Sequence, residues 1–298
     1  MVKTKQKRQD GRLRQGERRR ACPVARSSLS TQYERAVSAF DRVRIAPLQY
    51  SEMIEELTVT LPAPSGMQER NAYVYRPDFD GRFPVLYLFD GQTAFRDDRA
   101  PYGASLRLGE LLDEMHAPLI VATVECDKRD RLSEYSPFVF ASRFGKSTGQ
   151  GKQFMDWLTG AFKRQIDGAY PTLTGRAHTY LMGSSMGGLM SLYGLARYPQ
   201  IFSRAAALSP SLWTDPVGCE QLLDELPADA RLWLDYGEVE LRQHGKNQAR
   251  ALRMAEEKLS GRAGCEFHII TGGRHDEASW RARLPQVLAF LDVTANAP

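Results

Sequence analysis

Residues 180–188 read Tyr-Leu-Met-Gly-Ser-Ser-Met-Gly-Gly, a short apolar run leading through a Gly-x-Ser-x-Gly pentad into an apolar-rich stretch. No other feature constrains the fold as much, because a strand must turn sharply into a helix with a serine at the apex. Such a turn presses strand and helix backbones together, so its flanks must be small. Gly183, Gly187 and Gly188 supply that room. The spacing also separates the two serines. Only Ser185 has glycine at both minus two and plus two, where Ser184 would have Met182 and Met186. Ser185 is the candidate nucleophile. A bare pentad is a weak signal, since glycine and serine are common; its setting gives it weight. Residues 178–182 have the pattern of a short buried strand, and 189–198 that of a helix stopped by Pro199.

Eight strand-like segments surround or include this unit: 54–60, 72–75, 84–89, 119–124, 178–182, 204–208, 231–236 and 266–270. The first two suggest an antiparallel pair broken by residues 62–66, which contain two prolines and a glycine. Segments 84–89 and 119–124 are nearly continuous apolar runs, as expected of strands buried on both faces. Helical patterns cover 154–166 and 247–259, the second placing Ala251, Leu252, Ala255 and Leu259 on one face. Alternating strands and helices imply an α/β protein with a mostly parallel sheet covered on both sides. Eight strands with the elbow after the fifth is the plan of the α/β-hydrolase fold.

A chain of 298 residues accommodates one such domain. Charge divides it unevenly. Residues 1–26 hold ten of the 40 Lys and Arg but only two of the 36 acids, leaving the remainder at net −4. The expected organisation is therefore a basic, disordered arm over 1–30 and a single catalytic domain over 31–298, with a short helix at 31–40. A solvated tail is the preferred reading of the arm, and nucleic acid is not an expected partner. The arm lacks the apolar core of a secretory signal, and no run reaches the roughly 18 apolar residues of a membrane span. Cys22, Cys126, Cys219 and Cys265 are widely separated, with no Cys-x-x-Cys pattern. Reduced thiols in a cytoplasmic protein, with no metal site or disulfide framework, are the expectation.

In the α/β-hydrolase plan a serine nucleophile is followed by an acid and then a histidine. After Ser185 come His244, His268 and His275. His268 sits within the last strand and His244 comes too early. His275 lies in the glycine-rich stretch just after that strand, where a general base belongs. The acid should follow the seventh strand, where Asp235, Glu238 and Glu240 compete; Asp235 falls within the strand, and Glu240 is preferred over both. An oxyanion hole needs two backbone N–H groups. One is that of the residue after the nucleophile, Met186, and the other comes from the turn after the third strand, at Gln92.

Taken together, residues 84–92 (Pro-Val-Leu-Tyr-Leu-Phe-Asp-Gly-Gln) with Phe95, 183–188, 198–202 (Tyr-Pro-Gln-Ile-Phe), 208–213 (Leu-Ser-Pro-Ser-Leu-Trp) and 273–280 resemble an esterase family of α/β-hydrolases. That family includes esterase D, the antigen 85 mycolyltransferases, feruloyl esterases and enterochelin esterases, and the likeness covers roughly residues 50–293. It implies Ser185 and His275 as catalytic residues and the Gln92 amide in the oxyanion hole. The family often has Gly-Thr-x-acid after the seventh strand; Gly237-Glu-Val-Glu240 matches with glutamate replacing threonine. Asp90-Gly-Gln92, residues 129–137 and the Ser-Pro-Ser-Leu-Trp stretch are most similar to the enterochelin-esterase branch. Its cytoplasmic members carry an additional N-terminal β domain that 50 residues cannot build.

Residues 127–157 lie between the fourth and fifth strands, in position to cover the site. They carry Arg129, Arg131, Tyr135, Phe138, Phe140, Phe144 and Trp157, and Trp213 would approach after the sixth strand. Arg129, Arg131 and Trp213 are candidate contacts to an aromatic or anionic substrate, against the alternatives of lid packing and surface ion pairs. A small-molecule ester, cleaved through an acyl-enzyme without cofactor or metal, is the expected substrate. Acyl transfer or thioester cleavage on the same residues, and a non-catalytic binding protein of this fold, stay open as alternatives.

Overall fold

The computed structural model describes residues 53–242 and 246–294. The basic arm, the expected helix over 31–40, Cys22 and His244 lie outside the described residues.

Eight strands form one mixed sheet, each where the sequence places it: β1 (Ile54–Ala63), β2 (Gly66–Tyr75), β3 (Val85–Leu88), β4 (Ile120–Val124), β7 (Thr179–Ser184), β8 (Arg204–Leu208), β9 (Arg231–Gly237) and β10 (Cys265–Ile270). A separate two-stranded ribbon, β5 (Val139–Ser142) and β6 (Gly145–Thr148), interrupts that series between β4 and β7. The elbow strand is thus the fifth of the main sheet but the seventh in the chain. Sheet order is β1-β2-β4-β3-β7-β8-β9-β10, with β1 antiparallel to β2, β2 antiparallel to β4, and every later pairing parallel.

The first two strands run further than the proline-rich stretch suggests. They pair from Ile54↔Tyr75 to Ala63↔Gly66, and only Pro64 and Ser65 form the turn. Pro62 remains inside β1 because β1 is an edge strand, where a missing N–H need not break a ladder. At the centre, every residue of β3 and β4 is buried, which explains their unbroken apolar sequences.

Helices cover the sheet, beginning with Leu108–Glu114 (α1) before β4. The expected 154–166 helix extends over 151–169 as α2, with a π turn at Leu158–Phe162 between two α segments. Its Phe154, Met155, Leu158, Phe162 and Ile166 keep one apolar face buried throughout. Met186–Arg197 (α3) follows the elbow, and Pro216–Asp224 (α4) follows β8. Lys246–Leu259 (α5) buries Ala251, Ala255 and Leu259 with Leu252 partly covered, the face its periodicity predicts. Glu277–Phe290 (α6) is capped by Asp276, whose carboxylate accepts from the Ser279 amide at 2.8 Å. Pro285 lies inside α6, which hid it from a helix-pattern reading. No helix among the described residues is long and apolar enough to cross a membrane.

Candidate active site

The elbow forms as its glycines require. A Cβ on Gly183 would lie 2.5 Å from the Gly187 carbonyl carbon, and one on Gly187 would lie 2.8 Å from Phe89 Cβ. Strand, helix and the turn after β3 therefore meet where side chains are absent. Ser185 takes φ 56° and ψ −117°, a strained conformation for a residue with a Cβ. The surrounding chain holds it there. Its N–H donates to the Leu208 carbonyl at 2.9 Å, and its carbonyl accepts from the Leu189 and Ser211 amides at 3.1 and 3.0 Å. Strain of this kind, held from three sides, presents the hydroxyl beyond the sheet.

His275 Nε2 lies 3.0 Å from Ser185 Oγ, and His275 Nδ1 lies 3.4 Å from Glu240 Oε1. Trp280 meets the imidazole edge-on at 5.0 Å between centroids, fixing the plane of a ring that is otherwise partly open to water. The loops carrying acid and histidine are stitched backbone to backbone. Gly273 carbonyl accepts from Val239 N–H at 2.9 Å and from Glu240 N–H at 3.4 Å. A Cβ on Gly237 would sit only 2.3 Å from that carbonyl oxygen, so glycine is required there.

The three competing carboxylates separate cleanly. Glu238 is half-buried, pairs with Arg242 and accepts from the Gly272 amide at 3.1 Å. Asp235 is fully buried in β9 and accepts from Trp233 Nε1 at 2.7 Å. Glu240 is the one that reaches His275. Burial works to raise its carboxyl, yet the hydrogen bond and charge of His275, with the Ser209 hydroxyl and the Gly237 amide, bring it below the usual range.

The Gln92 side chain is anchored away from the site. Its Nε2 donates to Asp90 Oδ1 at 3.1 Å and to Cys126 Sγ at 3.2 Å, while its Oε1 accepts from the Cys126 amide at 3.1 Å. That anchorage fixes the short 3-10 turn Gly91–Thr93 and the direction of the Gln92 N–H. Met186 opens α3, so its amide is among those a helix cannot satisfy internally.

Of the residues expected to touch substrate, Arg131 is committed to the protein. It forms a fork-to-fork pair with Asp90, at 2.6 and 2.7 Å, which steadies the turn beside Gln92. Arg129 is exposed on the loop after β4. Trp213 packs against Phe140 and Phe144 of the β5–β6 ribbon, both at 5.5 Å between centroids. Tyr135 and Trp157 belong to the core. Two residues the sequence reading did not single out belong to the site. Ser211 Oγ lies 3.3 Å from Ser185 Oγ, and Ser209 Oγ donates to Glu240 Oε2 at 2.8 Å. Their Ser-Pro-Ser stretch marks the family likeness, but nothing in its composition specifies which hydroxyl faces which partner. No cluster able to hold a metal ion occurs among the described residues.

A strained serine between a parallel strand and a helix, facing a histidine on the loop after the last strand, places the chain among α/β-hydrolases. The Putative esterase family matches residues 64–291, and the chain belongs to it. A relative from Bacillus subtilis (strain 168), the "Uncharacterized protein YbbA", is 25% identical over 181 residues, covering 59% of this chain and 70% of that one. Among solved structures, the BES protein from Bacillus cereus is similar with a TM-score of 0.63 and 18% identity, covering 84% of this chain and 99% of that one. The IroE-like serine hydrolase from Shewanella oneidensis gives 0.61 at 19%, covering 80% and 79%. The enterobactin esterase from Shigella flexneri gives 0.60 at 19%, covering 83% of this chain but 62% of that one.

Proposed function

We propose that this protein hydrolyses carboxylic esters through an acyl-enzyme on Ser185. The contact that carries the reading is the 3.0 Å approach of His275 Nε2 to a hydroxyl held at a strained elbow. Neutral His275 takes the Ser185 proton at Nε2 as Oγ bonds to the substrate carbonyl carbon. The carbonyl oxygen becomes an oxyanion facing the Gln92 and Met186 amides, each such donor being worth about 3 kcal/mol in the transition state. Collapse breaks the bond to the leaving alcohol, which receives the proton from Nε2. Water then repeats the sequence and releases the acid. Glu240 orients the imidazole and stabilises its cationic form.

The aromatic group of Phe140, Phe144 and Trp213 favours an aromatic or otherwise apolar acyl part, since Trp213 follows Ser211 by two residues. A fold neighbour is an enterobactin esterase crystallised with 2,3-di-hydroxy-N-benzoyl-glycine, which makes catecholate esters the first natural substrates to try. The direct test is hydrolysis of short-chain and aromatic p-nitrophenyl esters by wild type and Ser185→Ala. Turnover abolished by the substitution supports the reading; a Ser185→Ala variant as active as wild type refutes it.

A further inference from the structure

Behind His275 and Glu240 lies a buried polar cluster that the proposed chemistry does not use directly. Ser209 is its hub. Its Oγ accepts from Trp280 Nε1 at 3.1 Å and from Arg283 Nη2 at 3.0 Å, and donates to Glu240 Oε2 at 2.8 Å. A hydroxyl has two acceptor sites and one proton. With both acceptor sites filled, the proton can only point at Glu240. Ser209 also sits at φ 44°, a region few residues with side chains occupy.

Arg283 Nη2 faces Asp235 Oδ1 at 3.3 Å as well, and that same oxygen accepts from the Ser209 amide at 3.2 Å. Asp235, Ser209, Glu240 and Arg283 are each no more than 2% exposed. Arg283 Nε and Nη1 find no acceptor among the described residues, a loss that an apolar side chain of similar shape would avoid. The guanidinium is therefore explained by its charge better than by its hydrogen bonds. Two buried carboxylates face one permanent cation, and the second cation arrives only when His275 is protonated during turnover.

We propose that Asp235, Arg283 and Ser209 form a positioning relay that aims Glu240 at His275 and sets the charge behind the imidazolium. The proposal rests on reading Ser185, His275 and Glu240 as one catalytic unit. Burial holds the Asp235 carboxyl above the usual range, although Arg283, the Trp233 ring N–H and the Ser209 amide oppose it; the three donors that converge on its oxygens are those an ionised carboxylate accepts. Other charges also face the imidazole. Asp276 and Glu277 lie on its own loop and the start of α6, Arg274 pairs with Asp276, and Asp90 acts on Glu277 from the turn after β3. Asp235 and Arg283 act on Glu240 from the side of β9 and α6.

The test is the pH dependence of kcat for ester hydrolysis by the full chain, with thermal unfolding recorded for each variant. Asp235→Asn leaves Arg283 uncompensated, disfavours the imidazolium, and should move the acid limb to lower pH by on the order of half a unit. Adding Arg283→Met should return the limb to the wild-type position. Ser209→Gly suits the positive φ, removes the hydroxymethyl group and with it the donor to Glu240, and should lower kcat about tenfold with KM little changed. It carries the test if Asp235→Asn does not fold. An unmoved limb in folded Asp235→Asn, or full kcat in Ser209→Gly, overturns the relay while an inactive Ser185→Ala leaves the esterase reading intact. A fully active Ser185→Ala overturns both.

Discussion

Ser211 Oγ lies 3.3 Å from Ser185 Oγ, which also lies 3.0 Å from His275 Nε2. With His275 as the proposed base, the single proton of Ser185 is directed to Nε2 and Ser211 is the donor in this second contact. Such a hydrogen bond strengthens whenever Oγ gains negative charge, as it does when it leaves the acyl-enzyme during deacylation. Ser211→Ala should therefore lower kcat about tenfold and raise the burst amplitude relative to the steady rate. The backbone contact from Ser211 N–H to the Ser185 carbonyl survives the substitution, so the elbow itself is not altered. A steady rate equal to wild type would show that the hydroxyl does no more than fill space.

Arg131 gives an expectation opposite to that of a substrate-binding arginine. Its pair with Asp90 steadies the turn bearing the Gln92 amide, and Gln92 Nε2 reaches the same carboxylate. Arg131→Gln should lower kcat and leave KM nearly unchanged, with a stability loss of about 2 kcal/mol from the lost charged hydrogen bonds. Steady-state kinetics across several acyl groups separates the two roles. A rise in KM alone would return Arg131 to the substrate pocket.

The parts of this architecture written in local pattern are legible in the sequence. Each of the eight main strands is a run of apolar or alternating residues, and the elbow combines fixed spacing with fixed chemistry. The acid and histidine loops are likewise marked by glycines, Gly237 and Gly273, that their close approach demands. What escapes is of two kinds. The β5–β6 ribbon has strands of four residues each, too short for a period to register, and α6 is masked by Pro285. The second kind is tertiary. Nothing local to Ser209, Asp235 or Arg283 announces that residues 26 and 74 positions apart share one buried hydrogen-bond network. Arg131 illustrates the same point, since its partner Asp90 lies 41 residues away.

Asp97 predicts how the loop beyond the Gln92 turn responds to acid. Hydrogen bonds from Arg107, then those from the Ser105 hydroxyl and amide, outweigh its burial and lower its carboxyl to about 2. An unfolded aspartate titrates at about 3.9, so the native state binds this proton more weakly. The contribution is fully present above that unfolded value and disappears as pH falls through about 2. It amounts to about 2 kcal/mol at most, since both partners are partly exposed. Chemical unfolding of wild type and Asp97→Asn at pH 7 should differ by that amount, and the two should converge below pH 2. A constant gap across this range would mean that the substitution acts through packing instead.

Gly237 tests whether the link between the acid and histidine loops matters for the chemistry more than for the fold. A Cβ there would lie 2.3 Å from the Gly273 oxygen, the acceptor of the Val239 and Glu240 amides. Gly237→Ala must push the two loops apart, and the displacement falls on Glu240 and His275 together. The sheet should persist, because β9 remains paired with β8 through Asp235 and with β10 through Gly237. A misplacement of about 1 Å between reacting groups can cost on the order of a hundredfold in rate. Gly237→Ala is expected to lose kcat on that scale, with a far smaller change in the unfolding midpoint. If activity and stability fell in proportion, the close approach would be a requirement of folding, and the alignment of Glu240 with His275 would not depend on it separately.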